Sequence, residues 1–370
     1  MSNIDFKNEF ADILTNSYLS TNATSEEYAA IWSKINDIIF PNIPQKLFRF
    51  RTCNLDSVMS FQLKTISTCV AKAFKDQYDS LVYIDRDGIE KIFQGFVDAG
   101  GVEAICSSFE DGTTIEVLGN ILSPDAITRM NEEMGNMPQQ DRLSFLYKNL
   151  SDFRVQLSYR IINYIENMRA DRLTKIACFT EDIRSLYMWD QYADGYKGYA
   201  LEYDFRDYHS RGCLTCPDIQ SCMKENKNIS KLFPVIYTTE RYNATGSVLN
   251  IMLSEILEQI GNKDIQLPID QLHWYKAYLY KDVNAYSHEK EWRIITRCPN
   301  QLDSDFTEIP NATCLKAVYY GPFMEKRYKE FLMNIAHGMG IKQYDVTLDE
   351  HSTKYELKVC EIEMSSQVIK

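Results

Sequence analysis

The stretch Cys178-Phe-Thr-Glu-Asp-Ile-Arg-Ser-Leu-Tyr-Met-Trp-Asp-Gln-Tyr-Ala-Asp-Gly-Tyr-Lys-Gly-Tyr-Ala-Leu-Glu-Tyr-Asp-Phe205 reads as strand, short loop, helix turn, glycine break and strand. Trp189, Tyr192 and Tyr196 fall within eight residues, with Asp190, Asp194 and Lys197 beside them. Connecting segments are usually built from small turn formers. Aromatic faces interleaved with a few polar groups are what a small-molecule or nucleotide pocket uses. Trp189, Tyr192, Tyr196 and Lys197 are therefore candidate ligand-binding residues. The competing reading is an aromatic core corner beneath a loop.

Outward from that stretch, strands and helices alternate without a repeat, a low-complexity tract or a linker. Phe6, Phe10, Ile13 and Leu14, then Tyr28, Ile31, Ile35 and Ile38, recur at helical spacing, so residues 1–45 read as an N-terminal helical segment ended by Pro41 and Pro44. Leu47–Arg51 alternates large apolar residues with arginines, which places Arg49 and Arg51 on one strand face. Residues 55–74 read as a helix, residues 88–170 as mostly helical, and 246–262 as a further helix. Strands are expected at Lys175–Thr180, Gly198–Tyr203, Leu232–Tyr237, 287–297, 315–320, 341–347 and 354–362. Strands dispersed among helices point to α+β: one domain over 46–370 with a mixed central sheet and a helical insertion at about 85–170.

Composition narrows the function. The chain has 370 residues, 45% hydrophobic and 25% charged, which suits an ordinary globular protein. A formal net charge of −12 argues against extensive contact with nucleic-acid backbones, which are held by clustered Lys and Arg. No basic segment followed by an apolar run opens the chain, and no stretch approaches the roughly 20 apolar residues that span a bilayer. Ten cysteines without a leader point to reduced thiols and a cytoplasmic protein. Neither GxGxxG nor a P-loop is present, which removes support for Rossmann oxidoreductases and P-loop NTPases.

Two constellations carry chemistry. Guanidinium groups on one strand face offer forked donors to a pyrophosphate, which assigns Arg49 and Arg51 to phosphate binding. Glu289 and Glu291 alternate within Glu289-Lys-Glu-Trp-Arg293, and a carboxylate there can stabilise the positive charge that develops on a sugar ring. Simple pairing of Glu289, Glu291 and Arg293 across a half-exposed strand is the plainer reading. The second constellation is His209, Cys213, Cys216 and Cys222, three thiols and an imidazole within fourteen residues, a donor set suited to tetrahedral zinc. Free thiols are the alternative.

Several blocks also carry a resemblance. Phe179, Met188-Trp189, Tyr192-Ala193 and Lys197-Gly198 are similar to the signature of a bacterial family catalogued as domain of unknown function 2971. Leu47–Arg51, Phe233-Pro-Val-Ile-Tyr237, Glu289–Arg293 and Val318-Tyr-Tyr-Gly321 resemble further blocks of that family in the same order. Phe74-Lys-Asp-Gln77 departs from it: Asp76 is kept and the family's proline turn is not. The order of Arg49 or Arg51, Thr180 and Glu291 resembles the catalytic layout of ADP-ribosyltransferases, which implies NAD as substrate. Glu291, Glu289 and Thr180 would then be catalytic, an acceptor macromolecule of unknown kind would take the ADP-ribose, and a role in bacterial defence or as a toxin would follow.

The leading expectation is thus a nucleotide-binding, ADP-ribosyltransferase-like protein. A non-catalytic ligand sensor or interaction protein stands beside it, and a metal-dependent nuclease using Asp76, Glu289, Lys290 and Glu291 is the third reading. For the cysteine loop, anaerobically purified protein is expected to carry about one zinc per chain. The paired substitution Cys213→Ser and Cys216→Ser should release it. Elemental analysis finding no transition metal in the unsubstituted protein would remove the site.

Overall fold

A computed structural model describes residues 5–111, 128, 132–206, 229–259, 267–297, 304–310 and 314–363. His209, Cys213, Cys216 and Cys222 lie outside the described residues. In chain order the strands are β1 (Leu47–Arg51), β2 (Thr65–Cys69), β3 (Thr174–Thr180), β4 (Tyr199–Tyr203), β5 (Ile229–Pro234), β6 (Ile236–Thr238), β7 (Tyr280–Asp282), β8 (Glu291–Arg297), β9 (Phe306–Pro310), β10 (Leu315–Tyr320), β11 (Lys342–Leu348) and β12 (Leu357–Glu361). Among the described residues, β6 and β7 form a small parallel pair and the other ten strands make one sheet. That sheet is mixed: β10 and β11 run parallel, joined across the helix Lys326–Met339, and the remaining pairings are antiparallel.

The sheet forks at β3. One edge of β3 is fully taken by β8, paired from Thr174–Arg297 to Thr180–Glu291. The other edge is shared. β1 meets it at Phe48–Thr180 alone, and β2 at Cys69–Ile176 alone. Each then leaves with its own partner, β1 with β4 over five residue pairs and β2 with β9 over five. A strand has only two edges, so β1 and β2 must part from one another, and a wedge-shaped cleft opens between them.

The strand β2 and its geometry correct the expected helix at 55–74. That helix ends at Gln62, and Lys64 adopts a left-handed backbone with φ 54°. Thr65, Ile66 and Thr68 are β-branched and Ile66 and Thr68 alternate inward, which suits a pleated surface better than another helical turn. A second correction concerns 287–297. Ser287–Glu289 is a 3₁₀ turn, Lys290 turns through φ 46°, and only Glu291 begins the strand. Glu289 and Glu291 therefore do not share a face by strand alternation.

The N-terminal helices Asp5–Asn16 and Ser25–Ile39 are part of the main core. Phe10 stacks on Phe233 at 5.6 Å, and Trp32 meets Tyr275 edge-on at 5.1 Å. Buried Asp270 accepts from the Leu19 amide and the Lys276 ammonium, and Lys276 also donates to the Ser17 carbonyl, so a polar knot fixes this segment to the C-terminal half. The expected insertion forms the helices Arg86–Asp98, Gly101–Asp111 and Gln139–Arg169, with Ile89, Leu157, Ile161 and Met168 in a separate core. No helix among the described residues is long and apolar enough to cross a membrane.

Close packing behind β1 depends on one glycine. A methyl group at Gly198 would sit 2.1 Å from the Arg51 carbonyl oxygen, and the Gly198 amide donates to the Ala193 carbonyl at 2.7 Å. Gly198→Ala should lower stability by about 1–3 kcal/mol, because neither backbone can give way without shifting β1. Gly95→Ala, where nothing lies within 4 Å in the helix Arg86–Asp98, should be neutral or stabilising by up to about 1 kcal/mol. Urea midpoints of the two variants that move together would contradict this account.

Candidate functional site

The cleft in the fork has a volume of about 400 Å³. Its β1 wall carries Phe48, Arg49, Phe50 and Arg51, and Glu289, Glu291 and Lys281 supply a further, acidic wall. The helix Leu186–Tyr192 supplies Tyr187, Met188, Gln191 and Tyr192. Positions 188, 191 and 192 share one helical face, and 186, 189 and 193 share the opposite one. Leu186, Trp189 and Ala193 accordingly point into the core against Phe50, whose ring meets the indole edge-on at 4.9 Å.

An ionic network supports the acidic wall. Lys281 Nζ donates to Glu289 Oε2 at 2.7 Å and to Glu291 Oε2 at 2.9 Å. Arg293, with no exposed surface, donates from Nε to Glu291 Oε1 at 2.8 Å and holds Asp79 through Nη1 and Nη2 at 2.8 and 2.5 Å. Its Nη1 also donates to the Tyr278 carbonyl at 2.8 Å. The Tyr192 hydroxyl donates to Glu289 Oε1 at 2.9 Å, and the Glu291 amide donates to the Tyr237 hydroxyl at 2.9 Å. Burial works against the Glu291 charge, but Arg293 and Lys281 outweigh it and hold the carboxyl below its ordinary range. Lys281 is likewise buried, yet Glu291 and Glu289 raise its affinity for the proton, so the ammonium persists. Burial, then the Glu289 charge, raises the Tyr192 phenol, which stays protonated as a donor.

The arginine wall is different. Neither Arg49 nor Arg51 is paired with a carboxylate among the described residues. The Arg49 guanidinium lies 5.8 Å from the centre of the Phe179 ring. Burial and the like charge of Arg51 push Arg49 down to about 10, which still leaves it charged at neutral pH. Two like charges held side by side without a counter-ion favour an anion between them.

The sequence-derived residues therefore divide. Arg49, Arg51, Tyr192, Glu289 and Glu291 converge on the cleft. Trp189 is fully buried beneath it, with its indole N–H donated to the Ile183 carbonyl at 2.7 Å. Tyr196 turns away, donating to the Leu186 carbonyl at 3.0 Å, and exposed Lys197 does not line the cavity. Thr180 is buried behind the wall and donates to the Glu289 carbonyl at 2.6 Å, so it positions the 3₁₀ turn. Lys290 reaches out to Asp182 at 3.3 Å, while Asp76 does line the cleft. Cys178 also lines it, with its thiol raised by burial and then by Glu291, which suits a protonated spectator. Lys281, Asp79 and Met188 were missed by sequence reading. The period-3.6 spacing of Met188 to Tyr192 was the available signal for the last of these.

A second cavity of about 720 Å³ adjoins the cleft and shares Asp76, Lys281 and Tyr286 with it. No group of three or more His, Cys, Asp or Glu suited to a metal ion occurs among the described residues.

Residues 188–294 match the model of the family described as Protein of unknown function (DUF2971). This bears out the family resemblance for the blocks within that span, Met188-Trp189, Tyr192-Ala193, Lys197-Gly198, Phe233–Tyr237 and Glu289–Arg293, while Leu47–Arg51, Phe179 and Val318–Gly321 lie outside it. The matched span contains Tyr192, Lys281, Glu289, Glu291 and Arg293, whereas Arg49 and Arg51 precede it. No curated protein and no solved structure matches the chain.

The network sets a stability test. Arg293→Met leaves Asp79 and Glu291 buried without their main partner and should cost about 3–5 kcal/mol. Glu291 has a depressed pKa in the folded chain, so its stabilisation is complete above the ordinary carboxylate range and is lost as pH falls through and below it. Glu291→Gln should flatten that acid loss relative to the unsubstituted chain. Denaturant midpoints measured from pH 7 downwards check this, and parallel pH profiles for the two chains would contradict it.

Proposed function

We propose that the cleft binds a nucleotide and that the protein is an ADP-ribosyltransferase-like enzyme with NAD as substrate. The observation that carries the reading is the pair Arg49 and Arg51, unpaired with carboxylate among the described residues, lining the same cleft as Glu289 at the fork of the sheet. The guanidinium pair would hold the pyrophosphate, with its forked donors directed at the phosphate oxygens. The exposed face of Tyr192, with Tyr187 and Met188, would hold a planar ring or the ribose attached to it.

Glu289 suits the reacting carboxylate better than Glu291. Both oxygens of Glu291 already accept from cations, Lys281 and Arg293. Glu289 accepts from one cation and from the neutral Tyr192 hydroxyl. Its charge is the less compensated of the two, and Thr180 fixes its backbone. In the proposed reaction the bond between ribose C1′ and the nicotinamide nitrogen breaks, and its electron pair neutralises the pyridinium. Glu289 stabilises the cationic ribose, an acceptor oxygen attacks C1′, and the acceptor proton leaves through that carboxylate to solvent.

One observation favours a second reading, a ligand sensor without turnover. Lys281 already neutralises much of the acidic wall and persists as an ammonium, which weakens its power to oppose a developing cation. The same ammonium stands between Glu289 and Glu291 where a divalent ion would bind, which leaves the nuclease reading the least supported.

Calorimetry with NAD and ADP-ribose, together with chromatographic detection of nicotinamide, separates these readings. Glu289→Gln is expected to keep binding and to lose roughly a hundred- to a thousandfold in nicotinamide release. Arg51→Ala is expected to lose binding. Wild-type binding without release would put the sensor ahead, and a wild-type chain that binds neither compound would overturn the nucleotide reading.

A further inference from the structure

The larger cavity is unlike the cleft in its lining. Tyr78, Tyr83, Tyr242, Tyr280 and Tyr286 contribute five phenol rings to its walls. Arg241 lies over two of them, 5.9 Å from the centre of the Tyr78 ring and 5.6 Å from that of Tyr83. No carboxylate pairs with Arg241 among the described residues. A guanidinium stacked on aromatic faces keeps its in-plane N–H donors free, and these suit the oxygens of a phosphate or carboxylate.

Three carboxylates line the chamber, Asp76, Glu240 and Asp282, and two of them have local partners. Asp282 accepts from the Asn284 amide at 2.9 Å, and Asp76 accepts from the Tyr78 amide at 2.8 Å and faces the Tyr286 phenol. Burial, then the Asp76 charge, raises that phenol and keeps it protonated. Of the chamber's two cations, Lys281 is held by Glu289 and Glu291, which leaves Arg241 as the one with aromatic contacts and no carboxylate partner among the described residues. Its neighbours offer flat apolar surface of the kind on which a base stacks. A volume of about 720 Å³ lies within the range of small-ligand sites.

The partition between chamber and cleft is thin. Lys281 lines both, with Nζ 2.7 Å from Glu289 Oε2 and 4.3 Å from the centre of the Tyr286 ring. A ligand seated among the tyrosines is therefore next to the carboxylate assigned to the reacting centre.

We infer that the chamber is a second ligand site, for a planar base carrying a phosphate, and that its occupant is a nucleotide acceptor for the group transferred in the cleft. The acceptor role rests on the NAD reading above; the binding site does not. An acceptor ribose hydroxyl would attack C1′ of the ADP-ribosyl group. The new O–C1′ bond replaces the C1′–N bond, nicotinamide leaves with the electron pair, and the hydroxyl proton passes to Glu289 and then to water.

The test titrates AMP and ADP-ribose separately into the full chain by calorimetry. Arg241 and Tyr83 are both exposed, so Arg241→Ala and Tyr83→Ala should keep the melting temperature of the unsubstituted chain. Each should weaken AMP about tenfold or more and leave ADP-ribose unchanged, because Arg241→Ala removes a phosphate contact and Tyr83→Ala a stacking face. Arg51→Ala should do the reverse. AMP binding that depends on Arg51 and not on Arg241 would overturn the chamber site by placing AMP in the cleft. Absence of AMP binding would overturn it as well. AMP binding that needs Arg241 in a chain that binds no ADP-ribose would sustain the chamber and remove the cleft reading.

Discussion

The Arg293 guanidinium is the interaction on which the rest of the architecture leans. Its side chain is removed from water and contacts Asp79, 214 residues away, the carbonyl of Tyr278, 15 residues away, and Glu291 on its own strand. A buried charge is tolerated only where its donors are satisfied, so all three partners must be in place for the fold to close. The cost of an incomplete set turns this cluster into a positional constraint. It brings the loop before the helical insertion, the helix His273–Leu279 and the start of β8 to one place, which is also the acidic wall of the cleft.

The same constraint explains how the site divides its labour. Lys281 and Arg293 compensate the carboxylates on one side, while Arg49 and Arg51 on the other side are left to each other. The cleft therefore carries compensated acid and uncompensated base together in its lining. Such an arrangement favours ligands that are anionic at one end and cationic or neutral at the other.

Much of the fold was legible because local pattern and tertiary burial agree for most strands. β1, β3, β4 and β10 alternate or run apolar and end at charged or glycine residues, and they stand within a residue of the expected bounds. β2 was hidden because Thr65, Ile66 and Thr68 follow directly on a helical apolar pattern, and the left-handed turn at Lys64 has no glycine to announce it. Glu289 and Glu291 were rightly brought together for a reason that does not hold: a 3₁₀ turn and a left-handed Lys290, with Lys281 as the common partner, replace strand alternation. Trp189 shows the other limit. Side-chain size marks a residue as important, but only its helical phase relative to Tyr192 decides whether it faces the core or the cleft. Asp79 had no local signal, since its partner Arg293 lies 214 residues away, and Lys281, although only 8 and 10 residues before Glu289 and Glu291, shares no helix or strand with them.

The shared edge of β3 has a mechanical consequence. Each arm of the fork is joined to that edge at one residue pair, while the five-pair ladders behind each arm stay intact when the arms separate. Widening the cleft therefore sacrifices very little main-chain pairing, whereas bending either arm would disrupt a whole ladder. In main-chain pairing the arms are thus stiff along their lengths and weakly joined at their root, so what holds the fork at its present width is the shared side-chain core of Leu47, Ile66, Ile176 and Phe179 rather than the ladder.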